Sequence, residues 1–489
     1  MTKRTISLAL LATMLLSMLA FAPGAMTEEE PVLKVYFTKG GFEAPPENDP
    51  IKAAIEEHTG IKLEWISPAE YAKQVWIMLA DDPDEWPDIV ELLTPTDPFR
   101  FWEEGALMDL TPYMDLMPAI TALIPQRAMD YYKVDGKQIA IPKWTTTKRY
   151  NLVMREDWLN NLNLEVPTTL EGFHDVAMAF TFNDPDKNGE NDTYGISGLG
   201  LDSFDWVFGA FGVIMGETSW QAPNTHCNIY FKDIDGVLTP MATLPEMKEA
   251  LTLLASWYAD GIIDPEFASH TAAIWQDKAE ASRFGITTHW WNWEAQREVA
   301  IRNTVPEASF IRVAPPIGPT GLSGLRAVPE VVRAIGVMSN SKHPELAAKL
   351  MDYMHTEQGM MTSYTGVEGL HWEIVDGKYL TMPQFDLDNK WIQWYFLFEN
   401  EQPLYKVETY LAPSRRGALL WNVVRDDADG LVCQAQMDYK ADLQALCAET
   451  FTQMIMGTKS LDDFDAFVEE FMAKGGQEWA DQVNAIYKK

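Results

Sequence analysis

The chain has 489 residues, with 72 acidic against 38 basic side chains and a formal net charge of −34 at neutral pH. That balance argues against nucleic acid and anionic membrane as partners, since both are bound through Lys and Arg contacts to phosphate. The length exceeds what one hydrophobic core normally organises and points to two lobes.

In chain order, Met1-Thr-Lys3-Arg4, an apolar run from Ile6 to Phe21 and the small residues Ala22-Pro-Gly-Ala25 read as an export signal over 1–25. The apolar run is short for a membrane helix, and no second run of spanning length follows. The first cysteine is Cys227, so none stands directly after the expected cleavage point to take a lipid. The expected location is therefore exported: periplasmic, or extracellular at the cell surface.

A near-continuous apolar run from Val32 to Thr38 predicts a strand buried on both faces. A helix over 50–58 stopping at Gly60, a strand over 61–66, a helix over about 69–80 and a strand over 89–92 follow. Repeated strand–helix units predict an α/β protein with mostly parallel sheets flanked by helices. Ligands bind such sheets at the strands' carboxyl ends, so the loops Lys39–Phe42 and Leu93–Thr96 should face a cleft, with Phe42 a candidate contact.

The stretch Asp135–Gly195 is the most specific part of the chain. In Asp184-Pro-Asp186-Lys-Asn188-Gly189-Glu190-Asn-Asp192, oxygen-bearing side chains recur at every second position around a sixth-place glycine. Alternate residues point one way and a hard cation takes six to eight oxygens, which predicts a structural Ca²⁺ held by Asp184, Asp186, Asn188 and Asp192, with Glu190 through its carbonyl. The twelfth position is Gly195 rather than the Glu of an EF-hand, so a helix–loop–helix sensor is not expected. A polar turn rich in Asp, Asn and Gly is the alternative.

Further on come a predicted helix over 246–259, a strand over 284–288 running into His289-Trp-Trp-Asn-Trp293, strands over 310–314 and 333–338, and a helix over 344–354. Cys433 and Cys447 fall in one predicted helix, where 14 residues of spacing is about 21 Å, far beyond disulfide reach. Buried thiols are expected.

The DGK turn at 135–137, the strand ending in Ile141-Pro142, Met154-Arg-Glu-Asp-Trp-Leu159, Val166-Pro-Thr-Thr-Leu170 and the cation loop together resemble the extracellular solute-binding proteins of bacterial carbohydrate ABC importers. The likeness is strongest to the alginate- and aldouronate-binding branch, related to maltose-binding proteins. It implies a two-lobed periplasmic-binding-protein fold with the ligand cleft between lobes. Lobe one is expected at 27–142 plus 282–328, and lobe two at 143–281 plus 329–489. Crossings are expected near Lys143, Ser282 and Val328. In that family the loop often carries an acid just after its ninth position, where this chain has Thr193.

Aromatic residues are abundant, with 18 Trp, 17 Tyr and 22 Phe. Flat sugar faces stack on Trp while their hydroxyls need acid, amide and Arg partners. The resemblance places a sugar-stacking Trp after the 284–288 strand, at Trp290 or Trp291; Trp293 is a weaker candidate, and core packing is the alternative. Trp144, Arg149 and Tyr150 lie at the first crossing, Trp206 closes Asp202-Ser-Phe-Asp-Trp206, and Arg415 belongs to a basic pair with Arg416. All are candidate contacts to hydroxyls or to a uronic acid carboxylate.

Enzyme motifs are poor. Ser339-Asn-Ser-Lys342 lacks the companion motifs of its hydrolase class and reads as a helix cap, and no zinc-protease pattern links the eight His. The expected function is a monomeric, non-enzymatic binding protein that captures an oligosaccharide, neutral or uronate-containing, and presents it to ABC transporter permease subunits. The alternatives are a secreted carbohydrate-active hydrolase or lyase, and a ligand-binding partner of a sensor kinase.

Overall fold

The structure, a computed structural model, describes residues 31–38, 43–144, 147–216, 228–392, 407–408 and 416–488, apart from the side chains of Trp144, Asn389, Val407 and Glu408. The export signal, Phe42, Cys227 and Arg415 lie outside the described residues.

Two sheets organise two lobes. The first runs Lys62–Ile66, Val32–Tyr36, Ile89–Leu92, Val331–Val337, Ile141–Trp144. Its first three strands are parallel, and Val331–Val337 runs antiparallel to both its neighbours. The burial of Ile89–Leu92 is complete along its length, as a central strand covered on both faces requires. Helix Pro50–Thr59 begins where Asp49 accepts hydrogen bonds from the Ile51 and Lys52 amides, and ends at Gly60 with φ 69°. These are the two boundary signals that its sequence carried.

The second sheet runs Phe310–Val313, Tyr150–Arg155, Phe284–Trp290, Tyr194–Ile196. Here Tyr150–Arg155 is antiparallel to both neighbours, while Phe284–Trp290 and Tyr194–Ile196 are parallel. The long helix Gln434–Ile455 and the helices Phe464–Phe471 and Gln477–Tyr487 pack onto this lobe, sharing its core with Trp158, Phe180 and Trp257. Cys433 caps that long helix and Cys447 sits within it; both are buried and free.

The α/β two-lobed architecture is as expected, but the division between lobes is not. Among the described residues, lobe one comprises 31–38, 43–144 and 331–392, and lobe two 147–216, 228–326 and 416–488. The strand at Phe284, expected in lobe one, lies between two strands of lobe two, and Val331–Val337, expected in lobe two, is central in lobe one. No crossing occurs near Ser282. The physical reason is pairing: the backbone of Phe284–Trp290 is satisfied by Tyr150–Arg155 along five residue pairs, and a buried strand goes where its hydrogen bonds are met. Among the described residues, the chain leaves the lobe-one sheet after Ile141–Trp144 and re-enters it at Val331–Val337, close to the expected Lys143 and Val328.

Candidate functional site

A cavity of about 640 Å³ opens between the lobes. Lobe one supplies the loop Leu93–Thr96, at the carboxyl end of Ile89–Leu92, together with Tyr131. Lobe two supplies Asn228–Phe231, Asp426, Asp429 and the helix face carrying Gln436, Lys440 and Gln444. Leu93–Thr96 therefore stands where strand direction predicted a cleft loop. Asp97 ties that loop down by accepting from the Leu93 and Thr94 amides at 3.1 and 3.0 Å.

The lobe-two wall is a chain of hydrogen bonds. Gln444 donates to Asn228 at 2.7 Å, Asn228 to the Tyr230 hydroxyl at 3.2 Å, and that hydroxyl to the Gly216 carbonyl at 3.2 Å. Asp426 accepts from the Phe231 and Ala428 amides at 2.9 and 3.0 Å. Burial, with Asp429 and Asp427 nearby, nevertheless pushes its carboxyl up to about 7. Such a wall offers amide, hydroxyl and carboxyl groups of the kind that pair with a polyhydroxylated ligand.

Behind Tyr230 lies a buried charged cluster. Arg326 donates to Asp205 at 2.8 Å and to the Tyr150 hydroxyl, its guanidinium lies 4.5 Å over the Tyr150 ring, and Asp202 stands 3.8 Å away. Burial opposes the guanidinium's charge, yet Tyr150, Tyr230, Asp205 and Asp202 hold it protonated well above its ordinary range. Burial, aided by Asp202, pushes the Asp205 carboxyl up to about 7 despite Arg326.

The predicted residues divide. Arg149, Tyr150 and Trp290 come together where two paired strands begin and end: the Trp290 ring meets Tyr150 edge-on at 5.6 Å and Arg149 lies over it at 5.1 Å. Trp290 is half-buried, whereas Trp291 is only 7% exposed, which removes it as an open platform. Trp293 packs on Trp275 at 4.6 Å in a satellite core. Trp206, expected as a ligand contact, is instead fully buried between Phe173 and Trp257, because helix Asp205–Ala210 turns it into the lobe-two core. Phe42 and Arg415 are outside the described residues, as is the side chain of Trp144.

Sequence reasoning missed Tyr131, Tyr230, Arg326, Asp426, Asp429 and Gln444. The one available signal was the acid-rich turn Asp426-Asp-Ala-Asp429-Gly430, which reads as an ordinary polar loop until Phe231 is seen to bond it.

The 184–192 loop joins helix Leu170–Phe182 to strand Tyr194–Ile196, away from the cavity. Asp184 accepts from the Asn188 and Gly189 amides, each at 3.0 Å, and the Asn188 amide group donates to Asp186 and Asp192 at 3.1 and 3.3 Å. Asp186 Oδ1 is buried with no hydrogen-bond partner among the described residues, and burial together with Asp184 raises its carboxyl. Asn188 thus bridges Asp186 and Asp192, Asp192 is also ion-paired with Arg283, and the three carboxylates are not gathered tightly around one point; oxygen donors of this kind are nonetheless what a hard cation takes. Gly189, with φ 83°, makes the bend. At Gly195 an added Cβ would lie 2.4 Å from the Ala177 carbonyl oxygen, so the twelfth position has no room for the EF-hand Glu. Thr193 turns inward to donate to the Phe180 carbonyl at 2.7 Å.

Residues 51–370 match the family of bacterial extracellular solute-binding proteins. The chain is 25% identical over 485 residues to lipoprotein LipO of Bacillus subtilis, covering 91% of this chain and 90% of that one. It is 29% identical over 252 residues to the polygalacturonan/rhamnogalacturonan-binding protein YtcQ of the same species, 50% of this chain and 46% of that one. Among solved structures, FusA of Streptococcus pneumoniae in complex with kestose shares the fold with a TM-score of 0.69 at 18% identity, over 94% of this chain and 99% of that one. The alginate-binding protein AlgQ2 without calcium ion does so with a TM-score of 0.67 at 19% identity, over 95% and 99%. The cleft between two α/β lobes and the extent of the match lead to one conclusion: this chain belongs to the bacterial extracellular solute-binding proteins.

Proposed function

We propose that this protein captures an oligosaccharide, neutral or mildly acidic, between its lobes and presents it to the permease subunits of an ABC importer. The interlobe cavity of about 640 Å³, walled by amide, hydroxyl and carboxyl groups, carries this reading. YtcQ and the fructooligosaccharide ABC transporter protein FusA, both similar in sequence, are named for sugar polymers and oligomers. Hinge closure across the two described crossings is the motion such a reading requires.

Export, binding without turnover, and a monomeric state belong to the same reading. No helix among the described residues is long and apolar enough to cross a membrane.

Trp290 does not line that cavity itself; in this proposal it is the stacking platform beyond it, reached when the lobes close, with Arg149 and Tyr150 against its ring. The test is calorimetry against a panel of neutral and acidic oligosaccharides. Trp290→Ala is expected to weaken the best ligand by about 2 kcal/mol, roughly thirtyfold. Wild-type affinity in the variant removes the platform, and product formation from the sugar favours a hydrolase or lyase instead.

The 184–192 loop is proposed to hold Ca²⁺ through the side chains of Asp184, Asp186, Asn188 and Asp192 and the Glu190 carbonyl. The ion would stiffen the connection between helix Leu170–Phe182 and strand Tyr194–Ile196. A ligand that binds only the folded state raises stability by mass action. Chelator should lower the melting temperature, and Asp186→Ala should abolish that response; an unchanged wild-type melt removes calcium from the account.

A further inference from the structure

A second set of ligating groups lies in lobe two, outside the cavity and outside the 184–192 loop. Asp264, Glu266 and His270 bring one ligating atom each to within 4.8 Å of one another. Asp264 is fully buried, and its carboxylate accepts from Ser197 at 3.0 Å and from Lys278 at 2.8 and 3.0 Å. Lys278 also donates to Glu266 at 2.7 Å.

The imidazole sets this cluster apart from a plain lysine–carboxylate pair. His270 is 2% exposed, and its Nδ1 lies 2.8 Å from the Gly198 carbonyl oxygen. A carbonyl only accepts, so Nδ1 carries the proton, and the neutral ring then has a lone pair at Nε2. Nε2 has no hydrogen-bond partner among the described residues and stands 3.4 Å from an Asp264 carboxylate oxygen. With the ring neutral, two lone pairs face each other there, and a shared cation, whether a metal ion or a second ring proton, would satisfy both. A ring nitrogen bonded to a backbone carbonyl while the other is presented to carboxylates is the outer-shell arrangement of metal-ligating histidines.

We propose that His270 Nε2, Asp264 and Glu266 bind a borderline divalent ion of the Zn²⁺ type, in competition with the Lys278 ammonium. One nitrogen and two carboxylates suit such an ion, whereas Ca²⁺ prefers an all-oxygen set. Access exists: Glu266 and Lys278 line an open groove of about 670 Å³. The Lys278 side chain is long enough to swing out of the cluster when an ion enters. The bound ion would clamp the 264–270 turn to the end of strand Tyr194–Ile196, where the Asp264 amide already donates to the Ile196 carbonyl at 2.8 Å.

The test uses the full chain, stripped of metal and then saturated with Ca²⁺, titrated with Zn²⁺ alone by calorimetry and by thermal melt. One equivalent is expected to bind and raise the melting temperature. Glu266→Gln and His270→Gln should each weaken binding at least about tenfold. Lys278→Met should strengthen it by freeing the carboxylates, and Asp186→Ala should leave it unchanged. Glu266 is exposed, so its variant carries the test if His270→Gln does not fold. No saturable Zn²⁺ binding in either wild type or Lys278→Met overturns the proposal. So does equal affinity in Glu266→Gln, or loss of binding in Asp186→Ala.

Discussion

Each lobe buries a charged cluster near the crossings, and the two are built on opposite principles. In lobe one a single acid serves two bases: Glu91 accepts from Lys143 at 2.8 Å and from Arg333 at 3.2 Å, across three adjacent strands. Its other oxygen accepts from the Thr38 amide at 2.9 Å. In lobe two a single base, Arg326, faces two acids, Asp202 and Asp205. The first arrangement ties a ladder together. The second leaves an acid, Asp205, whose carboxyl is pushed up to about 7, bonded to an Arg326 that also feels Tyr230 of the cavity wall. The two clusters therefore differ in charge balance and in place: Glu91 joins strands inside one sheet, whereas Arg326 lies behind a tyrosine of the cavity wall, where the binding reading proposed above can be tested against it.

The comparison breaks most visibly at Glu91. Glu91→Gln removes the carboxylate shared by a buried Lys143 and a part-exposed Arg333, and losing one partner of a buried ion pair costs about 3–5 kcal/mol. A large fall in melting temperature is expected, with sugar affinity of the folded fraction unchanged. A selective loss of affinity at full stability would place function in lobe one's cluster and erase the distinction.

Asp426 sharpens the comparison from the lobe-two side. Its folded carboxyl titrates at about 7 because of burial, well above an unfolded aspartate near 3.9. Between those values the native state holds a proton that the unfolded state has released, so stability falls as pH rises from about 4 to about 7 and is level above. The full difference is on the order of 4 kcal/mol. Asp426→Asn keeps an oxygen to accept from the Phe231 and Ala428 amides but cannot ionise. Denaturant titrations from pH 4 to 8 should therefore show a shallower slope in the variant than in wild type. Parallel slopes would mean that the buried carboxyl stays ionised.

What was legible in advance follows the range of the interactions. The tight turn at 184–192 was readable because its hydrogen bonds lie within nine consecutive residues and its bend needs Gly189. Strand Ile89–Leu92 and the cleft position of Leu93–Thr96 followed from local pattern plus strand direction. Lobe membership was not readable: Phe284–Trp290 and Val331–Val337 are both buried apolar strands, and hydrophobic period says nothing about which sheet completes their hydrogen bonds. The cavity wall was hidden for the same reason, since Gln444 reaches Asn228 across 216 positions of sequence. Trp206 failed as a site residue because an aromatic in a buried helix looks, in sequence, like one facing a cleft.

The smallest expected effect lies between the two clusters, at the second crossing. Glu330 accepts from Arg127 of lobe one at 2.9 and 2.8 Å and from Arg425 of lobe two at 3.1 Å, while Arg425 also donates to Thr147 of the first crossing at 3.3 Å. One carboxylate thus links both lobes and both crossings, so any rotation about 327–330 moves at least one of these bonds. The arginines are 66% and 55% exposed, and pairs of that kind contribute at most about 1 kcal/mol and weaken with salt. That is little for folding, but in the hinge-closure reading proposed above it would be enough to bias two lobe arrangements separated by about a few kcal/mol. Arg127→Ala is expected to leave the melting temperature within about 1 °C, since it removes less than about 1 kcal/mol from a large two-lobed chain. It should change the radius of gyration of the unliganded protein in X-ray scattering at low salt, and that change should fade as ionic strength rises. A salt-independent change, or none, would show that this charge link does not bias how the lobes sit.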